Sequence, residues 1–371
     1  MATPFRSGRG VVGIKAESTP GTFNVPGATD SFHATNITFT PSQQMWERKD
    51  STANFGLRDS IPGSAEGDIS FEVAMTGVSA FHATQIAEFP FWDQAFMACG
   101  HQRVATPSAT VGSIVYSPTT FFRNTVTGTA PAALTASPAG GYSVSMWTDD
   151  QGLLSSPKAW QFSITGAQGE VSISTKQGEP LIAKFKFHGA YYPATMATQV
   201  TATGDPTLNP PTFLGAKMTL LNIASDAAGA QGSWAFDGWE FTKGNVLSKR
   251  GDVSAAAGVR GAWITGHKPM IKLAPEMVNQ LQPFDGSGGL DLYDRWRKGT
   301  VTTSNSFIGN LTAGPTLGSK FLFTVPQAQI RELALGDREG AITNEISMAI
   351  TTPKGAADGA DYSFGVYAAT Q

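Results

Sequence analysis

The side chains able to do chemistry are few and scattered. His33, His82, His101, His188 and His267 are the five histidines. None lies at a spacing that would set it beside another His, Cys, Asp or Glu, as HExxH or CxxC does for a metal. They read as isolated surface or hydrogen-bonded histidines. Cys99 is the single cysteine, on the apolar side of a candidate helix, which suits a buried structural thiol better than a nucleophile. Serines and threonines abound without a GxSxG elbow or an SxxK pair. Gly286-Ser287-Gly288-Gly289 shares only its glycines with a phosphate loop, since the Walker Lys-Ser/Thr is missing. Asp149-Asp150 lies in turn-like sequence. The basic clusters Arg48-Lys49, Lys249-Arg250 and Arg295-Trp296-Arg297-Lys298 are short and flanked by acids, as salt links or solvated faces are. The expectation is a protein that is not an enzyme, with no catalytic residues, no metal and no cofactor.

Composition points the same way. The chain has 371 residues, net charge −3 and only 15% charged residues, with 41 glycines and 22 prolines. That is a turn-rich all-β composition with short helices and weakly charged surfaces of the kind partners cover. The charge balance excludes a basic nucleic-acid clamp. One cysteine allows no internal disulfide, so no oxidising compartment is implied. The opening residues lack the apolar core of a secretory signal, and no apolar run reaches membrane length. Folding in a cytoplasm is expected.

The stretch from Ile37 to Met75 organises the rest. Asn36 to Thr40 and Asp68 to Val73 alternate, so Ile69, Phe71 and Val73 share one face and Asp68, Ser70 and Glu72 the other. Pro41 to Gly63 between them is expected to be a long polar loop, and loops of that length are usually functional. The pattern recurs. Gly238 to Thr242 answers Asn36 to Thr40, Lys249-Arg250-Gly251-Asp252 answers Arg48-Lys49-Asp50, and Met270 to Leu273 answers the strand at Ile69. Leu181, Phe185 and Phe187 likewise answer Ile342, Ile346 and Met348. Such repetition is sought before fold is argued, and it divides the chain into tandem repeats at residues 1–200 and 201–371.

Short helices follow each copy. Trp92, Ala95, Phe96 and Cys99 stand at i, i+3, i+4 and i+7, one helical face ended by Gly100. Leu292, Tyr293 and Trp296 are their counterparts. Strands are expected at Val11 to Ala16, around Ile114 to Tyr116, over YSVSMWT and KAWQFSITGA, and in the hairpin GEVSISTKQGEPLIAKFKFHG. Residues 191–212 carry breakers and are taken as the boundary. Further strands are expected at Lys217 to Ile223, Phe321 to Leu335, Ile342 to Thr351 and Tyr362 to Ala368.

These parts resemble the major tail tube proteins of long-tailed, siphovirus-type bacteriophages. VVGIKAESTPGT resembles their opening (I/K)xExTxGT signature. Pro90, Trp92, Ala98, Cys99 and Gly100 follow their P…W…L…ACG segment, and the order of hairpins is similar over about residues 9–192. The resemblance implies an all-β fold of two tandem tail-tube-type β-sandwich repeats, whose strands join between subunits into a closed β-barrel ring. Rings stack into the virion tail tube, through which double-stranded DNA passes at genome ejection. Two repeats per chain would make three chains a pseudo-sixfold ring, with a hexamer as the rival. The implied partners are other copies of the chain, the tail tip or initiator, tape-measure and tail terminator proteins, with no membrane. Assembly would occur in the host bacterial cytoplasm.

On that resemblance Asp68, Ser70 and Glu72 become candidate lumen residues, because a neutral or acidic wall lets DNA slide. Arg48, Lys49, Asp50, Asn54 and Arg58, with Lys249, Arg250 and Asp252 in the counterpart Lys243 to Arg260, become candidate ring-stacking loops. Trp92, Phe96, Cys99, Tyr293 and Trp296 are the candidate helix core face. Two other readings are a carbohydrate-binding adhesin, with Trp147, Trp160 and Trp234 as a sugar platform, and a capsid-decoration β-sandwich.

Overall fold

The computed structural model describes residues 6–48, 59–78, 89–106, 111–119, 124–126, 141–149, 158–198, 200–202, 210, 212, 217–221, 236–276, 296–297, 308–313, 320–353, 356 and 359–369. The first half runs β1 (Arg6–Ala16), β2 (Ser31–Trp46), β3 (Ile61–Ala74), the helix α1 (Asp93–Ala98), β4 (His101–Thr106), β5 (Val111–Pro118), β6 (Asn124–Val126), β7 (Tyr142–Asp149), β8 (Lys158–Lys176) and β9 (Ile182–Thr198). The second half runs β10 (Lys217–Leu221), β11 (Phe236–Thr242), β12 (Asn245–Gly251), β13 (Val259–His267), β14 (Met270–Pro275), β15 (Ile308–Ala313), β16 (Lys320–Val325), β17 (Ala328–Arg338), β18 (Ala341–Ile350) and β19 (Ser363–Ala369).

A ten-stranded antiparallel sheet has the order β17-β18-β14-β11-β8-β7-β1-β2-β3-β9. Because β9 also bonds to β8, the pairings among β8, β7, β1, β2, β3 and β9 return on themselves. A second sheet, β10-β15-β16-β19-β5-β4-β6, mixes strands of both halves. Apolar side chains from the two sheets and α1 form one cluster, from Phe71, Phe185 and Phe96 through Phe364 to Phe323, Phe241 and Trp239. The rings meet tilted or stacked, as between Phe241 and Phe323 at 4.8 Å and between Phe96 and Phe364 at 5.7 Å.

Within the large sheet one unit occurs twice. Strands β2 and β3 pair Thr38 with Ser70, Phe39 with Ile69 and Thr40 with Asp68. Strands β11 and β14 pair Glu240 with Lys272, Phe241 with Ile271 and Thr242 with Met270, an offset of 202 on both strands (38 to 240, 70 to 272). Each pair also has a register shift, between Thr35 and Thr38 and between Phe236 and Trp239, within one residue of the same place under that offset. The next strand repeats as well: β9 sets Phe185 opposite Phe71 and β18 sets Ile346 opposite Leu273, and β8 and β17 close the two hairpins. The unit β2-β3-β9-β8 thus matches β11-β14-β18-β17. They join where β11 pairs with Ser172 to Lys176 of β8.

Several expectations are corrected. Pro41 to Gly63 is not loop throughout: β2 and β3 stay paired out to Trp46 and Ile61, so the stretch begins and ends as a two-stranded arm. The two strands expected over residues 158–176 are one 19-residue strand, β8, with a register shift between Thr165 and Gln168. Gly166 supplies the left-handed backbone of that shift at φ +56. Residues 191–198, expected as linker, continue β9, because Tyr191 to Thr198 find partners on β8 from Ile164 back to Lys158. Pro193 falls where the ladder skips, a place that needs no N–H. The counterpart loop after β11 is an ordered hairpin, β12–β13.

Candidate functional site

The polar face of the repeated unit is built by strand alternation. Ile69, Phe71 and Val73 are buried, which turns Asp68, Ser70 and Glu72 to the other side. On the neighbouring β9 the same alternation buries Phe185 and Phe187 and exposes Lys184 and Lys186. Lys184 reaches Glu72 at 3.1 Å, Lys186 reaches Asp68 at 3.3 Å, and His188 lies 2.6 Å from Asp68 and 3.2 Å from Glu66. Ser70 shares a hydrogen bond of 2.6 Å with Thr38. Ser70, Glu72, Lys184 and Lys186 border, with Glu170, Ser172, Glu240 and Thr242, a shallow cleft of about 350 Å³. The candidate lumen residues therefore do share one face, but it is a face of interleaved carboxylates and ammonium groups rather than an acidic one.

The stacking candidates separate. Arg48 lies exposed just beyond β2 on the arm, and Lys49, Asp50, Asn54 and Arg58 fall outside the described residues. Along the arm every residue from Pro41 to Arg48 is exposed, and so are Ile61 to Gly63. Met45, Trp46 and Ile61 are all more than half exposed there, apolar groups on a ribbon that no layer covers among the described residues. The second set is folded back on its own chain. Lys249 pairs with Glu66 and donates to Ser64 at 2.8 Å, and Ala65 N–H donates to Ala257 O at 3.0 Å. Arg250 sits over Trp263, and Asp252 pairs with Arg260. Gly166 and Gly261 allow this contact, since a Cβ on either would lie about 2 Å from the other segment's carbonyl oxygen (1.9 and 2.2 Å). Alternation gave no hint of this hairpin, because the sequence between Lys249 and Arg260 is Gly/Ala-rich.

The helix face divides too. Trp92, Phe96 and Cys99 are fully buried, with Trp92 Nε1 donating to Thr76 O at 3.0 Å. Tyr293 is outside the described residues. Trp296 is not a core residue: it is 47% exposed and donates its indole N–H to Arg331 O on the outer strand β17. Of the residues proposed for a sugar platform, Trp147 is buried, Trp160 is partly covered beside Phe162, and Trp234 lies outside the described residues.

Three buried polar groups that sequence patterns did not single out tie these surfaces together. Asp93, at the start of α1, accepts from Tyr116 at 2.7 Å and pairs at 2.5 Å with Arg103, whose guanidinium covers Phe89. Burial pushes the Tyr116 hydroxyl well up from its usual range, with the Asp93 charge adding to it. Glu17, from the opening signature, accepts from the backbone N–H of Gly21 and Gly166 and from Ser143. Burial raises its pKa, against the pull of those three donors. Lys243, at the β11–β12 turn, reaches back to the end of α1, donating to Cys99 O and, at 2.6 Å, to Gly100 O. Carbonyls at a helix end lack partners of their own, and a cation there meets the negative end of the dipole. Burial brings the Lys243 ammonium down to about 7. Asn245 adds bonds to Cys99 O and Gly169 O, so one turn of the second half caps the helix of the first.

Both ends of the repeated sheet are open. Among the described residues no strand pairs with the outer edge of β17, and none with the free side of β2 beyond Ala34, where β1 leaves it. Among the described residues no group of three or more His, Cys, Asp or Glu is placed to hold a metal, and no helix is long and apolar enough to cross a membrane. Comparison with protein-family models and with characterised proteins finds no match.

Proposed function

We propose that this chain is a structural subunit of a bacteriophage tail tube, polymerising as stacked rings around the path of genomic DNA. The observation that carries the reading is the unit β2-β3-β9-β8 repeated as β11-β14-β18-β17 with the same registers, joined edge to edge and, among the described residues, open at both outer edges. An exposed sheet edge is a template for pairing, and closure into a barrel is the arrangement that leaves none. Three chains supply six units to such a ring. The face bearing Asp68, Ser70 and Glu72 then lines the lumen. Its cross-strand ion pairs leave few unpaired cations to release counterions from DNA and hold it. The arm carrying Met45, Trp46 and Ile61 reaches the adjoining ring. The tail tip, tape-measure and terminator proteins are the other partners, and the virion tail is the location.

Electron microscopy of the purified, concentrated protein tests this. Hollow tubes of stacked rings with three chains per ring are expected. Closed shells, or compact particles that never enter virion tails, would replace the reading with a decoration or adhesin role.

A further inference from the structure

We infer that β17 of one copy pairs antiparallel with β2 of the next, in the register that β8 and β11 adopt within a single chain, setting Thr40 opposite Ala334 and Phe39 opposite Leu335. The inference rests on the ring reading for its setting and on the repeat for its register.

Inside the chain, β8 meets β11 with Ser172 opposite Thr242, Ile173 opposite Phe241 and Lys176 opposite Gly238. Each member has an equivalent at an open edge. The offset of 202 turns Gly238 to Thr242 into Asn36 to Thr40 of β2. For β8 the equivalence runs through its hairpin partner: Phe185 faces Val171, and its equivalent Ile346 faces Leu333, so Ser172 to Lys176 become Ala334 to Arg338. Transferring the internal junction therefore fixes every pair of the external one, from Thr40 with Ala334 to Asn36 with Arg338.

Among the described residues, no strand occupies either edge over that span. Strand β1 leaves β2 after Ala34, so the free side of β2 opens just before Asn36. On β17 the carbonyl of Arg331, at the register shift, is taken by Trp296. The open edge begins just beyond it, as the transferred register requires. The side chains agree. Ile173 is fully buried where β11 covers it, and Leu335, its equivalent, is 62% exposed. Phe241 is buried, and Phe39, its equivalent, is only partly covered. A β2 strand laid against β17 would bring these two apolar groups opposite one another. Asp337, in place of buried Thr175, is the one departure on that face; its carboxylate accepts from Gly340 N–H at 2.8 Å in the hairpin turn.

Cysteine cross-linking with imaging of the same samples tests the inference. Thr40→Cys and Ala334→Cys sit on the polar face, away from the core, and the native Cys99 is buried. Oxidised T40C/A334C is expected to give covalent trimers on a denaturing gel. A mixture of the two single variants should stop at dimers. The double variant T40C/R338C, four residues out of register, should remain uncross-linked. Rings or tubes in which the out-of-register pair links and the in-register pair does not would overturn the edge assignment and leave the ring reading standing. In-register links in fibres or open dimers would support the edge pairing and remove the ring. Absence of both links and rings at high concentration would remove both.

Discussion

Ile173 in the first unit is enclosed between Ala183 of β9 and Phe241 of β11, whereas Leu335, at the same place in the second, faces Asn344 of β18 and has no described strand on its other side. The two units share registers and, to within one residue, the position of a bulge, so local propensity does not set them apart. Order in the sheet does. An inner strand buries both flanks, and the outer strand of the same design keeps one open. What the difference teaches is that a repeat can carry, inside the chain, the pattern of a contact that its ends lack.

The largest effect expected from that difference is on folding. Ile173→Asp would place an unpaired charge in a closed site and should cost on the order of 4 kcal/mol or more, enough to prevent folding. Leu335→Asp should change the stability of the isolated chain by less than about 0.5 kcal/mol, the usual range for surface sites, while abolishing any assembly. Equal damage from the two, measured by denaturant unfolding, would break the comparison. Next comes the aromatic pair. Phe241→Ala, beneath Phe323 and Tyr362, should cost about 3–5 kcal/mol. Phe39→Ala, stacked on Phe162 at the partly covered edge, should cost about 1 kcal/mol.

The alternation of Ile69, Phe71 and Val73 and the i, i+3, i+4, i+7 face of Trp92 to Cys99 are legible in sequence because each follows one period set by the backbone. The repeat is legible for the same reason, and its pairings fall on the strands that alternation marks. What escapes is set by contacts distant along the chain. Strand β8 runs on through Gly166 because the Arg260–Gly261 backbone packs there. Strand β9 runs on through Pro193 because β8 supplies partners. Trp296 satisfies a helical spacing yet lies exposed against β17. Lys243 looks like an ordinary turn lysine until α1 is seen to end beside it. A turn cation answering a helix stop such as Cys99-Gly100 is a signal too common to have singled it out.

The third expected effect concerns that lysine, which belongs to the joint between the halves. Its ammonium lies near the Cys99 thiol, His101 and Asp361. Burial lowers its pKa from 10.5 to about 7. Between those values the unfolded chain holds a proton the folded chain has lost. This group therefore makes stability rise with pH, by at most about 1.4 kcal/mol per unit. Below pH 7 both states are charged and its contribution is flat. Lys243→Met should remove that slope between pH 7 and 10, read as the difference between the two proteins' unfolding midpoints across pH. A variant that keeps the full slope would show that the charge is not confined at this joint.

The smallest effect lies on the polar wall, where the units differ most in chemistry and least in energy. Thr38 and Ser70 share a hydrogen bond of 2.6 Å in the first unit, and Glu240 and Lys272 stand 3.9 Å apart at the same two positions in the second. Moving the second pair into the first, as Thr38→Glu with Ser70→Lys, should change stability by less than about 0.5 kcal/mol, since exposed cross-strand pairs contribute only a few tenths. Thr38→Glu alone adds a carboxylate near Glu72 and Asp68 and should be the less stable of the two. The gap between single and double variants should shrink as salt screens it. A double variant destabilised by several kcal/mol would mean that Thr38 and Ser70 are not exchangeable wall residues, and that the equivalence of the two units stops at their backbones.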